Sequence, residues 1–172
     1  MNKPENYDNT KAAQGYGVRP DPGGYVLQIV DVVDKKTKTE KRMLEISLDI
    51  ADGRFNGWCD ECTKKYGYDS YFKLRQIYEG KSLQYFKKFI EDVEWSNKGY
   101  KFDFDENTLK GKLVGGCLRE EEYIGKNGET KTSLKLWYTC PVTDVAKIKT
   151  PDILSLNRTD TMNENTKNDL PF

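Results

Sequence analysis

The first part of the chain carries strand-like patterns of apolar and polar residues. Residues 44–50 alternate strictly between apolar and polar side chains, which is the period of a half-buried strand. Residues 25–33 are rich in β-branched and aromatic side chains and predict another strand. A turn at Asp52-Gly53 leads to residues 55–60, where we expect a third strand.

A helical pattern follows in the middle of the chain. Residues 70–77 predict a short helix, which Gly80 ends. Ser82 is suited to cap a longer helix. The apolar residues of that helix recur at spacings of three and four, on one face: Leu83, Phe86, Ile90 and Val93. Asn97 to Gly99 are predicted to end it.

The strand period returns after this helix. Residues 100–104 predict a short strand, and residues 113–124 predict a long one. The run Lys126-Asn127-Gly128-Glu129 indicates a hairpin turn, because Asn-Gly accepts the positive φ angles of tight hairpins. Residues 133–140 are then the returning strand of that hairpin.

Three strands, a helix and a two-stranded hairpin predict a mainly β protein with one or two helices. This is the element order of an OB-fold, a five-stranded Greek-key β-barrel with its helix between strands 3 and 4. A generic α+β domain fits the same order. We expect the OB-fold domain over residues 21–150, a flexible N-terminal arm over 1–20 and a disordered tail over 151–172, since both ends are polar and lack periodicity.

Composition excludes several classes of protein. The chain has 28 basic and 28 acidic residues and no histidine, which rules out Ser-His-Asp and Cys-His nucleophilic sites. No apolar run approaches the length of a membrane span, and the polar stretch that follows Met1 leads us to expect no secretory signal. We therefore expect a cytoplasmic location and no membrane partner. The sequence leaves homo-oligomerisation open.

Basic residues concentrate in two predicted loops. In an OB-fold, the loops between strands 1 and 2 and between strands 4 and 5 border the nucleic-acid groove. The candidate phosphate contacts in these loops are Lys35, Lys36, Lys38, Lys41, Arg42, Lys126 and Lys131. For any single run, the alternative is an ordinary solvated surface.

Single-strand binding also needs flat rings on which bases stack. A second group of candidates mixes such rings with cations: Trp58, Lys64, Lys65, Tyr66, Tyr68 and Tyr71, with Lys73 and Arg75 close behind. In the last strand, Trp137 falls on the polar face beside Lys135, where an unstacked base would cover its ring. The alternative is that most of these rings fill the core of a small barrel.

Cysteines and carboxylates give little support for catalysis. Cys59 and Cys62 form a lone Cys-x-x-Cys pair. A zinc site would need Cys117 and Cys140 to converge on that pair. The densest carboxylates, at residues 103–106, are interpreted as a solvated turn rather than a magnesium site. We predict no enzyme activity, no metal and no cofactor.

The sequence ends Asp169-Leu170-Pro171-Phe172. Phe172 joins a large ring to a terminal carboxylate, which suits a partner pocket that takes the ring and pairs the charge with Arg or Lys. This tip resembles the C-terminal tip of bacterial single-stranded-DNA-binding proteins, which ends in acids followed by Ile/Leu-Pro-Phe. In the family several acids precede the tip, whereas here Asn168 precedes a single one, Asp169. The resemblance implies that the tip recruits replication or recombination proteins.

Four further stretches carry a second resemblance: Pro22 to Tyr25, Leu44 to Phe55, Leu83 to Ile90 and Gly111 to Thr139. They are similar to phage- and prophage-encoded single-stranded-DNA-binding proteins that act among recombination functions. This resemblance implies an OB-type protein that coats single-stranded DNA in a bacterial host cell and has no catalytic residues. A protein-interaction adaptor that binds no DNA is the alternative, and a small nuclease or thiol enzyme ranks third.

Overall fold

The computed structural model describes residues 3, 7 and 18–156, and its central element is the long strand β1 (Gly23–Lys36). The first half of β1 pairs with β4 (Leu113–Ile124), and the second half pairs with β2 (Arg42–Ile50). An extra residue, Val30, interrupts the ladder to β2. This bulge bends β1, so that a single strand serves both halves of the sheet.

Over the described residues, the five strands form one antiparallel sheet in the order β3-β2-β1-β4-β5. Here β3 is Phe72–Ile77 and β5 is Thr130–Cys140. The fold is mainly β, as the sequence predicts, with two α-helices in the described part of the chain: α1 (Trp58–Tyr66) and α2 (Leu83–Ser96). β3 and β5 stand at opposite ends of the order and share no strand pairing, so the sheet is not closed into the expected barrel.

The third strand lies later in the chain than the sequence pattern predicts. Residues 55–60 are not a strand, because they lead into α1 and begin it. Residues 70–77 are not a helix, because Phe72–Ile77 pairs with β2 as β3. Pairing with a strand more than twenty residues upstream overrides the helical spacing of the apolar residues, and no local pattern reveals it.

The start of α1 is held by the buried acid Asp49, the second-last residue of β2. The carboxylate of Asp49 accepts hydrogen bonds from the first backbone N–H groups of α1, which a helix leaves without intrahelical partners. Lys64 and Lys65 in the last turn complement the helix dipole. Gly67 ends the helix in a left-handed conformation, with φ of 73°.

α2 agrees with the predicted helix and begins directly after Ser82, but Leu83 of the predicted apolar face is exposed. Its apolar face is buried in the core through Phe86, Phe89 and Val93. The carboxylate of Asp92, also buried, accepts hydrogen bonds from Lys88 at 2.5 Å and from Thr139 of β5 at 2.9 Å. Burial raises the pKa of the Asp92 carboxyl, although both hydrogen bonds oppose that rise. This cluster ties α2 to β5.

The expected short strand over residues 100–104 is absent from the described chain. The backbone N–H of Phe102 instead donates to the Glu94 carboxylate at 3.0 Å, and the Phe102 ring meets Phe86 edge-on. These contacts hold the segment against α2. Phe104 has a positive φ of 67°, which is incompatible with a strand.

The predicted hairpin of β4 and β5 is present. The N–H of Gly125 donates to the carbonyl of Glu129 at 2.8 Å and closes the turn. The positive φ falls at Gly128, at 78°, and not at Asn127, so the turn is longer than a two-residue Asn-Gly hairpin. Close packing favours glycine at position 116 of β4, because a Cβ there would lie 2.6 Å from the Leu27 side chain.

Parts of the expected arm and tail contact the hairpin of β4 and β5. Arg19 donates a hydrogen bond to Glu120 of β4 and, at 3.3 Å, another to Thr132 of β5. The N–H of Leu154 donates to the carbonyl of Glu120 at 2.9 Å. The predicted tip, Asp169 to Phe172, and most of the predicted arm lie outside the described residues. Within residues 18–156, no helix has the length and apolar character that crossing a membrane requires.

Candidate nucleic-acid interface

A groove with a volume of about 760 Å³ lies along the seam where β3 and β5 face each other without pairing. We call it the seam groove. Phe72, Lys73 and Arg75 of β3 form one wall, residues 134–136 of β5 form the other, and residues of α1 also line it. Five cationic side chains and one acid, Glu61, line it: Arg19, Lys65, Lys73, Arg75 and Lys135. Of these cations, Arg19, Lys73, Arg75 and Lys135 form ion pairs with carboxylates outside the lining: Glu120, Asp69, Glu45 and Glu121.

The seam groove also exposes aromatic rings. Tyr66 and Tyr68 are 52% and 63% exposed, and their rings lie nearly parallel with centroids 5.8 Å apart. The ammonium of Lys65 lies 5.1 Å from the centre of the Tyr66 ring. Two flat rings at the surface with a cation beside them offer both of the contacts that single-strand binding uses.

Two other rings of the groove are fixed by packing. Trp58 is half-buried and stacks on Phe72, with centroids 6.3 Å apart. The hydroxyl of Tyr71 donates to the Asp60 carboxylate at 3.0 Å, and burial together with this hydrogen bond raises the pKa of Tyr71 to about 12. Trp58 and Tyr71 therefore line the groove as parts of its wall, as the core-packing alternative predicts for most of the rings.

Carboxylates beside the groove hold its cations in place. Glu45 lies between Lys35 and Arg75, with N···O distances of 2.6 Å and 2.9 Å. These two cations lower the pKa of the Glu45 carboxyl. Lys73 pairs with Asp69 at 2.6 Å. The pairing orients the cations and also reduces the net positive charge that a phosphate meets.

The structure brings only part of the predicted site together. Six of the predicted residues line the seam groove: Trp58, Lys65, Tyr66, Tyr68, Tyr71 and Lys135. Lys64 is adjacent in sequence but points to Asp60, at 2.5 Å, and does not line the groove. Trp137 lines a second cleft next to the groove.

The cations of the two predicted loops lie outside the seam groove: Lys35, Lys36, Lys38, Lys41, Arg42, Lys126 and Lys131. Of these, Lys35 is coupled to the groove through Glu45, which it shares with Arg75. Arg42 pairs with Asp34 at 3.5 Å and lies over the ring of Tyr78 at 4.9 Å.

Two basic residues near the groove were not among the sequence candidates. Arg119 lies 4.4 Å from the centre of the Trp137 ring and pairs with Glu121 at 3.0 Å. The hairpin register places Arg119 opposite Lys135, whereas a two-residue Asn-Gly turn would have placed it opposite Leu136, so the sequence pattern did not reveal this neighbour. Arg19 is separated from its partner Glu120 by more than 100 positions in the sequence, and no pattern in the residues around Arg19 predicts this pairing.

The four cysteines do not converge on a metal site. Within residues 18–156, no three Cys, Asp or Glu side chains are placed to hold a metal ion together. Burial raises the pKa of the Cys59, Cys62 and Cys117 thiols, and raises that of Cys140 to about 11. These thiols stay protonated near pH 7 and are poor nucleophiles.

No protein-family model and no curated protein sequence matches this chain.

Proposed function

We propose that this protein binds single-stranded DNA along the seam groove, with little preference for sequence. The observation that carries the proposal is the groove itself, where five cations and the exposed Tyr66–Tyr68 pair face one open channel. Cations neutralise phosphates, and every base has a flat face that can stack on a tyrosine. Duplex DNA presents its bases already stacked, so rings of this kind favour a single strand.

We further propose that the sheet is an OB-type fold opened at one seam. The supporting features are the order β3-β2-β1-β4-β5, the double pairing of the bent β1, and α2 between β3 and β4. Joining β3 to β5 would close such a sheet. The proposal therefore puts the DNA at the seam where an OB barrel closes.

Recruitment of partners through Asp169 to Phe172 is the second half of the proposed function. It rests on the resemblance of the tip to those of bacterial single-stranded-DNA-binding proteins. In this proposal the chain is a non-enzymatic DNA-coating protein of phage replication or recombination, and the tip brings in host proteins.

An adaptor that binds an extended peptide is the competing function. β3 and β5 are the outer strands of the described sheet, and an unpaired strand edge accepts a peptide by strand addition. Peptide binding of this type depends on backbone hydrogen bonds and changes little with salt. DNA binding releases counterions, so its affinity falls steeply with salt.

Fluorescence anisotropy tests the proposal directly. Labelled oligo-dT and a duplex of equal length are titrated at several salt concentrations. We expect the protein to prefer oligo-dT to the duplex. The slope of the logarithm of the binding constant against the logarithm of the salt concentration should change by about 0.7 for each phosphate contact that is lost. Arg75→Gln should flatten the slope by that amount. Lys87→Gln, an exposed cation outside the groove, is the matched control. Equal slopes for both variants, or no oligo-dT binding, would contradict the proposal.

A further inference from the structure

A second cleft continues the seam groove toward α2. Its volume is about 340 Å³, and we call it the α2 cleft. Residues 74–77 of β3 and 137–139 of β5 form its walls, whereas the seam groove uses residues 72, 73 and 75 and residues 134–136 of the same strands. On both strands, the residues of the α2 cleft extend further toward the C-terminal end of the strand than those of the seam groove. Arg75 lines both cavities. The two cavities are therefore successive parts of one open seam.

The α2 cleft has the residue types that a nucleotide needs. Trp137 and Tyr85 line it with exposed fractions of 37% and 49%, and each offers a ring to a base. Arg75 and Lys88 line it as cations, and no acid lines it. Ser82 adds a hydroxyl group, whereas the Lys88 ammonium and the Thr139 hydroxyl are held by hydrogen bonds to the buried Asp92. This volume lies at the lower end of the range for small-ligand sites.

Arg119 prepares Trp137 for stacking. Its guanidinium lies 4.4 Å from the centre of the indole ring, and Tyr138 meets the indole edge-on at 5.1 Å. Both contacts hold the ring in one orientation. An oriented ring loses less conformational freedom when a base stacks on it.

We propose that the α2 cleft is a separate nucleotide subsite, so that a bound strand runs from the seam groove past Arg75 and places a base against Trp137 and Tyr85. This inference rests on the proposed DNA-binding function and extends it with a path and a length requirement. The seam groove has five cations and the larger volume, so it binds short strands first. Only strands long enough to pass Arg75 reach the α2 cleft.

A length series of oligo-dT tests this path. Anisotropy titrations with dT4, dT6, dT8 and dT12 are carried out on wild type and on Tyr85→Ala. Tyr123→Ala is the matched control, because Tyr123 is 43% exposed and lines neither cavity. We expect Tyr85→Ala to weaken dT12 binding about 5- to 150-fold, the usual effect of one lost stacking contact, and to leave dT4 binding within about twofold.

Photocrosslinking gives a second readout that does not depend on substitution. A single 5-iodouracil is moved along dT12, and the crosslinked residue is identified by mass spectrometry. Crosslinks to Tyr66 or Tyr68 from one end and to Trp137 or Tyr85 from the other would support the path and give its polarity.

Three outcomes would overturn the inference. Tyr85→Ala could weaken all lengths equally, it could leave dT12 unaffected, or Tyr123→Ala could weaken dT12 as much. In each of these cases the proposed DNA binding itself would stand. Failure of wild type to bind any oligomer would overturn both proposals, so the two failures are distinguishable.

Discussion

Asp49 is the second-last residue of β2, and its carboxylate lies 2.8 Å from the backbone nitrogen of Cys59 in the first turn of α1. A second oxygen of the same carboxylate accepts from Asp60 N–H at 3.0 Å. Asp49 is buried, so these hydrogen bonds are shielded from water. α1 carries Trp58, Lys65 and Tyr66 to the seam groove, and Asp49 thereby positions one border of the proposed interface.

Removing this carboxylate should destabilise the fold. We expect Asp49→Ala to lower the free energy of unfolding by about 1–3 kcal/mol, because it leaves buried N–H groups without partners. Asp49→Asn keeps one acceptor and should cost less. Urea denaturation followed by circular dichroism measures both. Asp52→Ala is the control, since Asp52 binds only an exposed N–H of Gly53. Equal losses for Asp49→Ala and Asp52→Ala would argue against the capping role.

Glu45 should couple stability to pH and also restrain DNA binding. Lys35 and Arg75 hold its folded-state pKa below the ordinary value of 4.5. Ionised Glu45 therefore stabilises the fold above about pH 4.5, and this contribution is lost as the pH falls through the lowered pKa. Both cations are largely exposed, so the contribution is at most about 1 kcal/mol.

Glu45→Gln should accordingly reduce the loss of stability that accompanies a fall in pH below the ordinary carboxyl pKa of 4.5. It should also strengthen oligo-dT binding several-fold at pH 7, because Arg75 no longer has a competing carboxylate. Glu91→Gln, whose partner Lys87 lies 3.9 Å away outside the groove, provides the comparison. Unchanged oligo-dT affinity in Glu45→Gln would show that Arg75 does not contact the strand.

Tyr68 should contribute a stacking platform. We expect Tyr68→Ala to cost about 1–3 kcal/mol of oligo-dT binding, and Tyr68→Phe to cost little, since the ring rather than the hydroxyl contacts the base. Tyr68 is 63% exposed, so neither change should affect the urea midpoint strongly. Anisotropy and denaturation together separate binding from folding. If Tyr68→Phe binds oligo-dT as weakly as Tyr68→Ala, the Tyr68 hydroxyl contributes a hydrogen bond and the ring is not the stacking platform.

The tip should act independently of DNA binding. We expect Phe172→Ala to abolish capture of replication or recombination proteins in a pull-down from host lysate, because Phe172 is the only aromatic residue after Pro151. Oligo-dT affinity should stay unchanged. Asn168→Ala is the control. If wild type and Phe172→Ala retrieve the same proteins, the resemblance of the tip has no functional meaning.

Local sequence patterns were sufficient for most of the sheet. β1, β2, α2 and the hairpin of β4 and β5 lie where alternation, helical spacing and the Asn-Gly turn predicted them. In each case the spacing of apolar side chains within about fifteen residues was enough. A half-buried strand repeats every two residues and an amphipathic helix about every 3.6, so the two can be told apart locally. The basic-aromatic mixture at residues 58–75 was also visible from composition.

The tertiary structure decided the third strand, α1 and the composition of the groove. Residues 72–77 became a strand through pairing with β2, and α1 begins where it does because Asp49 accepts its first N–H groups. Arg19 and Lys135 line the same groove as the α1 residues because both chain segments reach the β3–β5 seam. The sequence by itself determined which segments have a strand or helix period and which residue types could bind a strand. Which of those residues share one surface depended on contacts between distant segments. The pattern of side chains within a single segment does not contain the free energy of those contacts.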